Sequence, residues 1–113
     1  MAEPLVFDAD DLATETRSQL FLGRDYGVDA SFFITDMAPG AGPKPHRHPY
    51  PEVFIVREGE ASFTIGGGEY AGRPGQVLVV PAGAVHSFVN SGSGQLVMVN
   101  IHPVAEMTTE WIG

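Results

Sequence analysis

Cysteine is absent from the 113 residues, so neither a disulfide framework nor thiolate ligation is available, and any metal must be held by nitrogen and oxygen. Positive charge is scarce. Six Lys and Arg stand against 14 Asp and Glu, giving a formal charge of −8. A nucleic-acid partner needs a basic stripe along the phosphate backbone, and the few cations here are scattered, so no nucleic acid is expected as a partner. Long apolar runs are missing as well. Nothing approaches the ~18 residues of a spanning helix, and the opening MAEPLVFDADD has neither a basic nor an apolar leader region. No membrane association is expected, and the default compartment is cytoplasmic. There is no Gly-x-Ser-x-Gly elbow, phosphate loop or dinucleotide fingerprint. Gly66-Gly67-Gly68 reads as a hairpin turn because no Lys-Ser/Thr follows it, so no organic cofactor is implied.

What is abundant is turn-forming residues: 14 Gly and 9 Pro, spread along the chain between short apolar stretches. This pattern predicts an all-β fold of many short strands, in a chain long enough for one core and not two. Residues 1–19 read as an N-terminal arm, in which Asp10 caps a helical turn over Asp11–Arg17 or the chain runs extended. Residues 20–113 read as the folded domain. Strands are predicted at Leu20–Leu22, at Ala30–Ala38 with Phe33, Thr35 and Met37 on one face, and at Glu60–Ile65. Gln76–Val80 is continuous apolar chain and predicts a fully buried strand. Gln95–His102 alternates, with Leu96, Met98, Asn100 and His102 sharing a face.

The chemistry concentrates between Gly40 and Gly59, in GAGPKPHRHPYPEVFIVREG. His46 and His48 are two apart, so in extended chain both imidazoles point to one side, and Arg47 between them points away to solvent. Pro49-Tyr50-Pro51 cannot continue a ladder and predicts a kink that swings Glu52 back to the same place. His86, after the Pro81-Ala82-Gly83 turn, supplies a fourth ligand. Taken singly, each histidine is more often structural; the four together give three nitrogens and one carboxylate oxygen, a set that suits a divalent transition metal, Fe, Mn, Ni, Zn or Cu.

These stretches resemble the two motifs of the cupin superfamily. Gly40, His46, His48, Glu52 and Gly59 match the first, and Gly75, Pro81, Gly83, His86 and Asn90 the second, with no position departing from the pattern. The resemblance covers about half the chain. It implies a small single-domain β-barrel of the jelly-roll, double-stranded β-helix kind with a metal at its centre, and commonly a homodimer. It implies no particular reaction, because the superfamily spans dioxygenases, isomerases, epimerases, lyases, sugar-binding sensors and storage proteins.

Around the metal, Phe54, Phe63, Phe88 and Met98 are expected as cavity walls, which makes the pocket mainly apolar and suited to a small organic ligand with one or two oxygens for the metal. Tyr50 is expected at the rim, where its hydroxyl either packs or reaches substrate. His102 is open between a partner of the ligands, an acid or base, a fifth ligand and a structural role. Asn90 holds a turn or a backbone carbonyl. An octahedral ion on four protein ligands keeps two positions open. The functional expectation is therefore a metal-dependent enzyme of dioxygenase or Lewis-acid isomerase/lyase type, and the rival is a non-catalytic ligand-binding or sensing module. Val53 and Ile55, facing away from the cavity, call for cover by a second sheet or a second subunit.

Overall fold

The computed structural model describes residues 3–113; residues 1 and 2 of the expected N-terminal arm lie outside them. Ten strands follow in order: β1 Gln19–Phe21, β2 Ser31–Met37, β3 His46–Arg47, β4 Glu52–Glu58, β5 Ala61–Ile65, β6 Gly68–Gly72, β7 Val77–Val80, β8 His86–Asn90, β9 Leu96–His102 and β10 Glu110–Trp111. They form two five-stranded antiparallel sheets, in the orders β1-β2-β9-β4-β7 and β10-β3-β8-β5-β6. The all-β expectation is met.

Period-2 alternation sets which side chains go between the sheets. In β4, Glu52, Phe54 and Val56 are buried while Val53 and Ile55 are half-buried on the outer side. In β9 the same alternation buries Leu96, Met98, Asn100 and His102. The apolar members meet in one core of Phe54, Val56, Ala61, Phe63, Val80, Phe88, Leu96 and Met98. Phe54 of the first sheet stands edge-on to Phe63 and Phe88 of the second, at centroid distances of 5.0 and 5.7 Å, the geometry ring quadrupoles favour.

Glycines make the corners. At Gly59, φ is +78° and an added Cβ would stand 2.3 Å from the Gln95 carbonyl oxygen, so both conformation and space require glycine after the β4 bulge at Val56/Glu58. Gly66, at φ +60°, opens the two-residue loop that pairs Ile65 with Gly68, so the last of the three glycines already belongs to β6.

Two expectations are corrected. The strand read as fully buried is β7, and it lies at the edge of its sheet, paired only with β4; Val77 and Val79 are 60% and 62% exposed, and only Val80 is buried. Its continuous apolar character reflects an uncovered outer face, not a central position. The arm forms a short 3-10 helix at Ala9–Leu12, with Asp10 inside it and no side-chain cap, and no helix continues to Arg17. The hydroxyls prevent it. Thr14 Oγ1 donates to the Ser18 carbonyl at 2.7 Å, and the Ser18 amide donates to Thr16 Oγ1 at 3.1 Å, drawing the backbone into local turns instead.

Candidate metal centre

Four residues from three strands and one bend converge between the sheets. His46 and His86 are register partners across β3 and β8, Glu52 opens β4 opposite Val80, and His48 follows β3 into the Pro49–Pro51 bend. The Gly83 amide donates to the His48 carbonyl at 2.8 Å, which ties the turn before His86 to the chain that carries the other two imidazoles. All four side chains are buried, and one ligand atom from each lies within 4.8 Å of the rest.

The hydrogen bonds fix where the ring protons are. His46 Nδ1 contacts the Lys44 carbonyl at 2.7 Å, His48 Nδ1 that of Thr108 at 2.7 Å, and His86 Nδ1 that of Ala84 at 2.9 Å. A carbonyl oxygen only accepts, so each Nδ1 carries a proton and donates, and each neutral ring keeps its lone pair on Nε2. Those lone pairs face a carboxylate. Glu52 Oε1 is 3.1 Å from His48 Nε2 and 3.2 Å from His86 Nε2. The first approach is off the hydrogen-bond direction, and His48 Nε2 is left buried without a hydrogen-bond partner. Acceptors crowded this way need a cation or extra protons among them, and buried ones cost about 1–3 kcal/mol each if left unpaired. The cluster fits a metal ion and could hold one.

Electrostatics agree with a site built for positive charge. Burial alone would raise the Glu52 carboxyl, but the imidazoles of His102, His48 and His86 hold it well below the usual carboxylate range. At His48, burial works against protonation, yet the Glu52 carboxylate and the Thr108 carbonyl outweigh it and push the ring upward. His46 is pushed down, chiefly by burial.

His102 is buried beside this group. Its Nε2 lies 3.1 Å from Glu52 Oε2, and its Nδ1 is 2.8 Å from the Tyr50 hydroxyl, which also accepts the Thr108 amide at 3.3 Å. The Glu52 carboxylate only accepts, so the neutral His102 ring donates to it from Nε2 and accepts the Tyr50 hydroxyl at Nδ1, in a chain with one direction. Burial raises the Tyr50 hydroxyl, which keeps that proton in place.

A cavity of about 520 Å³ opens above the cluster. Phe54, Phe88 and His102 line it, as do Phe33, Thr35 and Met37 from β2. Phe63 and Met98, expected in the wall, are fully buried in the core and outside the lining; Phe63 packs behind Phe54 and Phe88. Tyr50 reaches the site through its hydroxyl bond to His102. Asn90 serves the fold: its amide donates to the Met37 and Gly94 carbonyls at 2.9 and 2.8 Å. Arg47 turns outward, as expected, and pairs with Glu110 at 2.6 Å.

Several contributors escaped sequence reasoning. Thr14, Thr16 and Ser18 of the arm line the cavity, and so do Met107, Thr109 and Trp111 of the C-terminal segment, which β10 clamps to β3. Thr108 acts through its backbone carbonyl, which leaves no mark on residue type. Asn100 was placed on the correct face by alternation but given no role.

Residues 33–102 match the family described as cupin domain. Among curated proteins, dimethylsulfoniopropionate lyase DddW of Ruegeria pomeroyi is 36% identical over 61 residues, which are 54% of this chain and 40% of that protein. This chain thus spans less than half the length of that relative. Among solved structures, oxalate decarboxylase of Bacillus subtilis, a protein with Mn(II) centres, superposes with TM-score 0.76 at 20% identity, over 84% of this chain and 27% of that one. A protein with a double-stranded β-helix domain from Klebsiella pneumoniae superposes with TM-score 0.78 at 20% identity, over 98% of this chain and 99% of its own. At these identities the structural likeness speaks for the fold. With both sequence motifs intact and the family match spanning well over half its length, the chain belongs to the cupin domain family.

Proposed function

We propose that His46, His48, Glu52 and His86 hold a divalent transition metal, and that the protein uses it on a small organic carboxylate in a lyase- or decarboxylase-type reaction. The carrying observation is the convergence of three imidazole nitrogens and a carboxylate oxygen at the floor of a cavity large enough for such a molecule. When bound, the ion supplies Lewis acidity, polarising a substrate oxygen and stabilising the charge that develops on it.

The chain's own residues would do the rest. Among the described residues that line the cavity there is no Lys or Arg, so a substrate's negative charge is met only at the metal. Phe33, Phe54 and Phe88 would exclude water from the remainder of the molecule and strengthen the polar contacts inside. The Tyr50–His102 chain fixes the Glu52 carboxylate and keeps its Oε1 turned to the other imidazoles. A relative named a dimethylsulfoniopropionate lyase and a structural neighbour named an oxalate decarboxylase favour this class over a dioxygen-using one, which the same donor set would also serve.

A non-catalytic binding module is the second reading. It is favoured by the shortage of free acids and bases: beyond the four ligands, the titratable cavity residues are Glu15, which is exposed, and His102, engaged at both nitrogens. The test is to load the stripped protein with Mn(II), Fe(II) or Zn(II) and to follow a panel of small carboxylates, including oxalate and dimethylsulfoniopropionate, by NMR, with dioxygen uptake in parallel. Metal-dependent product without dioxygen uptake supports the lyase reading. Binding without turnover across the panel supports the module, and failure to take up any ion overturns both.

A further inference from the structure

Besides the His48 nitrogen assigned to the metal, one buried polar atom among the described residues that line the cavity has no partner. Asn100 Oδ1 is buried without a hydrogen-bond partner, on a residue only 5% exposed that lines the cavity wall. Leaving such an acceptor unpaired is costly, and a stable fold keeps one only where something else pairs with it. Several polar groups of the wall already have partners within the fold. Ser18 Oγ accepts the Asp36 amide at 3.0 Å, and Thr14 and Thr16 bond to each other and to the Ser18 backbone.

The position of Asn100 is set by two strands. It lies two residues before His102 on β9 and opposite Phe54, which is itself two residues beyond Glu52 on β4. The Asn100 backbone therefore lies about 7 Å from His102 along its own strand and about 7–8 Å from Glu52 on the diagonal, on the same face. A molecule with an oxygen at the metal and a few carbons beyond it would bring its far end to this amide.

We propose that Asn100 is a specificity-determining residue, and that the natural ligand is a small carboxylate carrying a hydrogen-bond donor, a hydroxyl or amine, which pairs with Asn100 Oδ1. This rests on the metal-site reading above and names the ligand class that the same cavity takes. Purely apolar acids fit the walls but leave the carbonyl unpaired, and a site with a buried polar group disfavours ligands that cannot satisfy it.

The experiment uses Mn(II)-loaded full-length protein and two matched probe pairs, 3-hydroxypropanoate with propanoate and 4-hydroxybutanoate with butanoate, titrated by calorimetry into wild type and Asn100→Leu. Wild type binds at least one hydroxy acid about fivefold to tenfold more tightly than its deoxy partner, the worth of one net hydrogen bond. Asn100→Leu loses that preference while binding the deoxy acid at least as well, and its melting temperature is unchanged or higher because an unpaired carbonyl has been removed. Equal affinities within both pairs in wild type, or a preference that survives in Asn100→Leu, overturn the role of Asn100 alone. A variant melting several degrees lower shows that the amide was satisfied inside the protein and likewise overturns it. If the metal loads but no acid binds, the carboxylate reading falls together with this one.

Discussion

His102 Nε2 meets Glu52 Oε2 at 3.1 Å, while the other carboxylate oxygen faces His48 and His86. One imidazole thus holds the carboxylate by its far oxygen and fixes the near one toward the nitrogens, a division of labour that a carboxylate free to rotate would not keep. The carboxylate fixes the tautomer of His102 in turn, and the Tyr50 hydroxyl donates to the ring's free nitrogen.

Replacing His102 with Leu should leave the β-fold in place and weaken metal binding about tenfold to a hundredfold, the usual cost of losing such an orienting partner. Tyr50→Phe should move affinity in the same direction by less, since His102 keeps its bond to Glu52. Competitive metal titration against a chromogenic chelator reads both, and unchanged affinity in His102→Leu would remove the positioning role.

Phe63 tests the division between core and cavity. It is fully buried, in contact with Phe54 and Phe88, and stands outside the cavity lining. Phe63→Ala should cost about 3–5 kcal/mol of stability, the range for opening an aromatic-sized hole in a packed core, without a comparable loss of metal affinity at temperatures where the variant is folded. Urea denaturation beside a metal titration separates the two, and a metal defect larger than the one in His102→Leu would place Phe63 in the site after all.

The motif half of the chain was legible because its chemistry is carried by residue identity at fixed offsets. His46, His48, Glu52 and His86 come together as spacing said, and strand alternation placed Phe54, Phe88 and His102 on the cavity side. What failed did so for physical reasons. Val77–Val80 looked like buried strand because an apolar edge whose outer face is uncovered has the same composition as an interior one. Phe63 and Met98 share a face with cavity residues, yet alternation gives the side of the sheet and not the depth between sheets. The flanks were illegible because Thr108 works through its carbonyl and the Thr14–Ser18 turn through hydroxyl-to-backbone bonds, neither of which leaves a periodic signal.

The outer face of the first sheet predicts a homodimer. Register sets Val79, Val53, Ile101, Phe32 and Phe21 in one row across the five strands, and Val77, Ile55, Val99 and Ile34 in the next. A face this apolar calls for cover by another layer, and a second copy offers the same face in return. Light scattering at micromolar concentration should give twice 12.1 kDa, and Val77→Lys with Val79→Lys should shift the protein toward monomer. A wild-type mass of one chain would contradict this.

Asp36 gives the acid limb of stability. The Gln95 amide at 2.8 Å lowers its pKa, burial opposes, and Arg17 at 3.2 Å adds to the lowering. A depressed carboxyl contributes stability above its ordinary value of 3.8, and that contribution is lost as pH falls through the lower native value. Because Arg17 is largely exposed, the contribution is at most about 1 kcal/mol. Asp36→Asn should therefore be slightly less stable near neutrality and lose less on acidification than wild type, in parallel melts at pH 7 and pH 3. A variant as pH-sensitive as wild type would discount the pair.

The proposed centre rests on four side chains holding one ion. Protein purified without chelator, loaded with Mn(II) and desalted, should carry about one ion per chain by elemental analysis, while His46→Ala and His86→Ala should each lose most of it and keep the far-ultraviolet spectrum of the β-fold, whose apolar core does not depend on the ion. Full occupancy in either alanine variant, or an empty wild type, would contradict the four-ligand centre.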